Sequence, residues 1–109
     1  MREIKFRGWD GERVYEPEDL TTAPASRVWL GREDMTLMQF TGLRDKNGVE
    51  IYEGDILEDD MEWWQVQYTD RAMYEAIAIP RGVDFALEEI VGSATVQGNI
   101  FENPELLNV

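Results

Sequence analysis

Two runs of β-forming residues, Thr36–Thr41 and Val49–Tyr52, flank a polar turn that ends in Asn47-Gly48, and a second glycine turn at Gly54 launches a third run at Asp55–Leu57. Asn and Gly are the residues that most readily accept left-handed backbone angles, so this 22-residue stretch from Thr36 to Leu57 reads as strand, hairpin turn, strand, sharp bend and strand. No long helix fits between breakers placed this close together.

The rest of the chain repeats the pattern. Ile4, Phe6 and Gly8 alternate with Lys5, Arg7 and Trp9, Asp10-Gly11 turns, and Arg13-Val14-Tyr15 returns as a partner strand. Residues 16–26 contain two prolines and no sustained period, which reads as a connection with a short helical turn over Pro17–Leu20. Val28-Trp29-Leu30 is a short apolar run of the kind that is buried. Trp63–Tyr68 alternates, with Trp64, Val66 and Tyr68 on one face and Gln65 and Gln67 on the other; Thr69-Asp70-Arg71 turns, and Met73–Ile79 is a strand ended by Pro80-Arg81-Gly82. Val83–Val91 fits a short helix, Ala94–Phe101 a final strand, and Asn103-Pro104 the start of a helical stub. The expected fold is therefore mainly β: a small, antiparallel, partly open barrel, SH3-like in style, with an N-terminal β-hairpin and one or two short helices. An α+β sheet carrying one helix is the alternative.

A chain of 109 residues forms one domain, 1–109, in which an N-terminal hairpin and connection (1–35) precede an acidic core (36–109). The net charge is −13, distributed as −2 over residues 1–35 (6 Lys/Arg, 8 Asp/Glu) and −11 over residues 36–109 (4 Lys/Arg, 15 Asp/Glu). Nucleic acid and anionic membranes repel such a surface and a basic protein suits it, although excess acid also serves solubility. With no Cys and no His, thiolate zinc sites, disulfides, cysteine nucleophiles and imidazole bases are excluded. The first ten residues lack a signal-peptide pattern and no apolar run is long enough to span a bilayer, so the cytoplasm is the expected compartment.

The densest group of functional side chains is Glu50, Glu53, Asp55, Glu58, Asp59, Asp60 and Glu62. Carboxylates bind hard cations, but the spacing has no EF-hand character, and strand geometry points Asp55 and Glu58 to opposite faces. Ser26 and Ser93 lack an activating histidine, and no phosphate-cradling glycine motif is present. No catalytic, cofactor-binding or metal residue is assigned, and the protein is expected not to be an enzyme. Trp63 and Trp64 are adjacent on a strand and cannot enter the same core, so one of them is expected to be exposed or covered by another chain. The expected partner-binding residues are accordingly Glu58, Asp59, Asp60, Glu62, Trp63 and Trp64.

Three phrases resemble the YopX family of phage and prophage proteins: residues 2–10 (REIKFRGWD), 38–56 (MQFTGLRDKNGVEIYEGDI) and 98–107 (GNIFENPELL). The resemblance implies a phage- or prophage-encoded protein inside a bacterial cell and supplies no active site. Three readings follow: an accessory protein that binds a protein partner or itself; an acidic mimic of nucleic acid that inhibits a defence or DNA-handling enzyme, dependent on Asp59, Asp60 and Glu62; and a nucleic-acid-binding barrel using Arg2, Lys5, Arg7 and Arg13, which the net charge opposes.

Overall fold

A computed structural model describes residues 4–18, 36–60, 62–69 and 72–108. Among the described residues nine strands are formed, all paired antiparallel: β1 (Phe6–Trp9), β2 (Val14–Tyr15), β3 (Thr36–Arg44), β4 (Glu50–Tyr52), β5 (Asp55–Glu58), β6 (Trp63–Tyr68), β7 (Tyr74–Ile79), β8 (Asp84–Ala86) and β9 (Thr95–Asn99). A four-stranded sheet runs β2-β1-β3-β4, and a five-stranded sheet runs β8-β7-β6-β5-β9, curled as a half barrel. The mainly β, partly open barrel expected from the glycine turns is the fold of the molecule.

Turn chemistry explains the hairpins. Asp10 Oδ1 accepts the N–H groups of Glu12 (2.8 Å) and Arg13 (2.9 Å), closing β1 onto β2. Between β3 and β4, Asp45 accepts three backbone N–H groups, from Asn47 (2.8 Å), Val49 (2.9 Å) and Val96 (2.9 Å), so one carboxylate fixes the hairpin and ties it to β9. β3 bulges within this hairpin. Phe40 faces Tyr52 and Arg44 faces Glu50, which leaves Thr41–Leu43 opposite Ile51, with Gly42 at φ +87°. Thr41 Oγ1 closes the irregularity by donating to the Ile51 carbonyl (2.8 Å) and accepting the Leu43 N–H (3.1 Å).

The larger core lies on one face of the five-stranded sheet, where Leu57, Trp64, Val66, Tyr74, Ala76 and Ala78 pack with Ile51, Leu87, Ile90 and Ala94. A smaller cluster, Met38, Phe40 and Tyr52, is covered by Trp9, Val14 and Phe101. β1 pairs along β3 from Phe6↔Gln39 to Trp9↔Thr36, so the N-terminal hairpin shares a sheet with the acidic half of the chain.

Val83–Val91 departs from the expected helix. Asp84–Ala86 forms edge strand β8, and Leu87–Glu89 follows as a 3-10 turn. Two spacings share the segment: Phe85 sits opposite Ala76 and meets the Trp64 ring edge-on at 5.4 Å, while Leu87 and Ile90, three apart, both enter the core. β9 ends at Asn99 rather than Phe101, because Asn99 Oδ1 accepts the N–H groups of Phe101 (3.0 Å) and Glu102 (2.8 Å) and turns the chain. The stub after Asn103 is a 3-10 helix, Pro104–Asn108. Pro17 and Glu18 open the helical turn expected after β2; the remainder of that turn, the Val28–Leu30 run and most of the Thr69–Arg71 turn lie outside the described residues.

At Gly98 a Cβ would lie 2.3 Å from Asn103 Oδ1, the atom that also receives the Asn99 N–H (3.2 Å). Gly98→Ala should therefore destabilise by about 1–3 kcal/mol, and by clearly less in an Asn103→Ala background, in a double-mutant cycle followed by urea denaturation. Additive effects would show that the close approach is harmless. Burial opposes ionisation of Asp45, but its three N–H donors and the Lys46 charge outweigh that and hold its carboxyl below the ordinary value of 3.8. A lowered folded-state value contributes stability above about pH 4 that is lost as pH falls through it. Asp45→Asn should cost about 1–3 kcal/mol at neutral pH, and its deficit relative to wild type should shrink as thermal melts are taken below pH 4.

Candidate functional site

The turn between β5 and β6, which carries the expected partner-binding residues, is held largely by its own side chains. Asp59 Oδ1 accepts the Glu62 N–H (2.8 Å), Oδ2 accepts the Trp64 indole N–H (3.2 Å), and the Asp59 N–H donates to the Glu62 carbonyl (3.0 Å). Glu62 pairs with Arg81 across from β7. Trp64, 4% exposed, belongs to the main core. Trp63 faces the opposite side of the sheet and is half-buried, Glu58 is half-buried opposite Trp63 and Thr95, and Asp60 is exposed. The six residues thus lie in or beside the β5–β6 turn, with Asp60 the most solvent-facing and Trp64 withdrawn.

The wider carboxylate group is dispersed in the same way. Glu50 receives Lys5 Nζ at 2.6 Å and Arg44 Nη2 at 3.2 Å, and the Lys5 hydrogen bond holds its carboxyl below the ordinary range. Asp55, 1% exposed, accepts the Tyr52 N–H at 2.8 Å and lies 3.7 Å from Arg7 Nη1. Arg7 stacks 4.0 Å above the Tyr52 ring centroid and donates through Nε to Glu16 at 2.9 Å. Burial drives the Tyr52 hydroxyl up to about 12. Among the described residues no three His, Cys, Asp or Glu side chains are grouped to hold a metal ion, and no helix is long and apolar enough to cross a membrane.

The three phrases that resemble the YopX pattern meet at this buried acid. Arg7 and Trp9 come from the first, Tyr52, Gly54 and Asp55 from the second, and Asn99 and Phe101 from the third. Asp55 pairs with Asn99 in the β5–β9 register, and Trp9 packs on Phe101 with ring centroids 5.9 Å apart. The Gly54 N–H donates to the Val66 carbonyl (2.9 Å), its carbonyl accepts the Ile100 N–H (2.9 Å), and a Cβ there would meet Phe101 at 3.3 Å.

Beside this junction a groove of about 260 Å³ opens between the start of β3, the β4–β5 turn, β6 and the segment after β9. Its walls include Leu37, Met38, Tyr68 and Phe101, and its polar groups include Glu53 and Gln67. Leu37 is 47% exposed and Tyr68 52% exposed, both large apolar side chains left to water. Tyr74 meets Tyr68 edge-on at 4.9 Å, and Tyr74 itself is anchored by donating its hydroxyl to Gln39 Oε1 (2.9 Å), so the exposed ring is positioned. Sequence reasoning missed this site. One signal was available: Leu37 and Met38 are adjacent on a strand, and the rule that separates Trp63 from Trp64 also sends Leu37 away from the core that holds Met38.

Asp55 makes stability depend on pH with a definite sign. Burial drives its carboxyl up to about 7 from 3.8, against the opposing pull of the Tyr52 N–H and Arg7. The folded state then binds a proton that the unfolded state has released, so stability falls as pH rises from about 4 to about 7 and is level above that. Asp55→Asn keeps an acceptor for the Tyr52 N–H and has no proton to lose. Melting temperatures from pH 5 to 8 should decline in the wild type relative to Asp55→Asn, and parallel curves would contradict the assignment.

A family model described as YopX protein matches residues 14–108. The fold is similar to the crystal structure of protein EF1440 from Enterococcus faecalis, with 29% identity, a TM-score of 0.59 and coverage of 98% of this chain and 99% of that one. It is also similar to the crystal structure of protein yopX from Bacillus subtilis, with 20% identity, a TM-score of 0.60 and coverage of 97% and 98%. No curated protein matches the chain. With residues 14–108 under the family model, most of the chain is covered, and the chain belongs to the YopX family.

Proposed function

We propose that this protein is a non-enzymatic binding module that docks a basic protein partner through the groove beside Gly54, in the phage or prophage setting within a bacterial cell that the family resemblance implies. The observation that carries this reading is the pair Leu37 and Tyr68, two exposed apolar side chains on the walls of one preformed groove. Exposed aromatic and aliphatic groups at a concave site are the usual anchors of a protein interface, since burying them supplies affinity while a polar rim supplies orientation. The charge of −11 over residues 36–109 favours a partner of opposite sign and speeds its encounter at low salt.

The Glu58–Trp64 turn suits an accessory part of such an interface better than its centre. Asp59 and Glu62 already have intramolecular hydrogen bonds, so neutralising them disturbs the turn as well as the surface charge.

Affinity capture from the bacterial host tests the reading. A basic protein retained by wild type should be lost, or weakened at least about tenfold, with Leu37→Asp or Tyr68→Ala, and kept by the control Val49→Ala, which alters an exposed side chain outside the groove. Equal retention by all variants, or recovery of the protein alone with a dimer mass in solution, would replace groove docking by another surface or by self-association.

A further inference from the structure

We infer that the groove reads an arginine side chain of an extended, basic segment of the partner, with the guanidinium on Glu53 and the tyrosine ring of Tyr68. This rests on the groove reading above and adds the chemistry of the ligand. Glu53 lies in the β4–β5 turn, half-buried, and lines the groove together with Leu37 and Tyr68. Among the described residues its carboxylate accepts one long hydrogen bond, 3.4 Å, from the Gln39 N–H to Oε1, and has no ion pair with a cation. Other carboxylates in this part of the molecule have cations: Glu50 has Lys5 and Arg44, Glu16 and Asp55 share Arg7, and Glu62 has Arg81. A half-buried carboxylate beside apolar walls gains most from a cation that brings its own apolar stem, which is the build of an arginine or lysine side chain.

Arginine is favoured over lysine by the tyrosine. A guanidinium is planar and weakly hydrated, so it stacks on an aromatic face while its edge hydrogen-bonds a carboxylate. The protein makes this arrangement within its own chain at Arg7, which lies 4.0 Å over Tyr52 while donating to Glu16, and Arg13 makes the stacking part alone, 4.3 Å over Tyr15. Among the described residues that line the groove, the tyrosine and the carboxylate are both present and no arginine is. Leu37 then covers an apolar neighbour of that arginine, so the preferred segment is extended, with apolar residues flanking the cation.

The test uses the whole protein and two peptides, acetyl-Ala-Leu-Arg-Leu-Ala-amide and the same peptide with citrulline, the neutral isostere, for arginine. Titrations followed by NMR at low ionic strength should show the arginine peptide binding about tenfold more tightly than the citrulline peptide. Glu53→Gln, which keeps an acceptor for the Gln39 N–H and should leave the circular dichroism spectrum unchanged, should weaken the arginine peptide about tenfold and the citrulline peptide hardly at all. Tyr68→Ala should weaken both. Equal affinities of the two peptides for wild type, a preference that survives Glu53→Gln, or binding of neither peptide up to about 10 mM would overturn the inference. Arginine recognition and groove docking are separable. If partner capture depends on Leu37 and Tyr68 while Glu53→Gln leaves the arginine preference intact, arginine recognition falls and groove docking stands; if capture ignores Leu37 and Tyr68, both fall.

Discussion

The β4–β5 turn at Glu53-Gly54 joins the two sheets. The Gly54 N–H reaches the Val66 carbonyl in the middle of β6, and its carbonyl takes the Ile100 N–H from the segment after β9, so this residue is bonded on both sides of β5 within the five-stranded sheet. Only glycine suits the position: φ is +89°, and Phe101 stands where a Cβ would need room. The neighbouring Glu53 N–H donates to the Gln39 carbonyl of β3, which extends the tie to the four-stranded sheet. β3, β6 and the C-terminal segment meet because of this turn, and the groove is the space their meeting leaves open. Fold and candidate site therefore have a common cause.

Next to the glycine, a buried acid makes the junction costly. Asp55 is taken out of water with one backbone donor at hydrogen-bond distance and a guanidinium at 3.7 Å, a separation that only partly offsets the lost solvation. Its neighbours come from three separated stretches of the chain, residues 2–10, 38–56 and 98–107, and include the Arg7 stack on Tyr52 and the Trp9–Phe101 contact. These stretches consequently describe how the barrel is joined. Of the residues assigned to recognition, only Glu53 lies within them; Leu37 lies one position outside and Tyr68 well beyond. Scaffold residues and the proposed recognition residues are thus largely separate sets.

What was legible in the sequence is what local chemistry decides. Asp10-Gly11 and Asn47-Gly48 mark hairpins because few residues other than Gly and Asn accept those angles, and Trp64 and Val66 mark an inward face because a strand alternates. Asn99 and Asn103 act on nearby backbone, as short polar side chains beside glycine commonly do. Less legible was Val83–Val91, in which strand spacing at Phe85 and helical spacing from Leu87 to Ile90 overlap, so neither period prevails over the whole segment. The acids at Glu58–Trp64 are dense, yet a turn closed by Asp59 needs a carboxylate for its own hydrogen bonds. The groove had no local signature, because its walls come from four separated segments that adjoin only when the Gly54 junction closes.

The central claim is that recognition occurs at the space this junction creates. It is tested most directly by mapping backbone amide shifts of the 15N-labelled protein as its captured partner is added. The account predicts that the largest perturbations fall on Leu37, Met38, Glu53, Gly54, Gln67, Tyr68 and Phe101, the groove walls. Perturbations confined to the Glu58–Trp64 turn, with the groove amides unmoved, would contradict it.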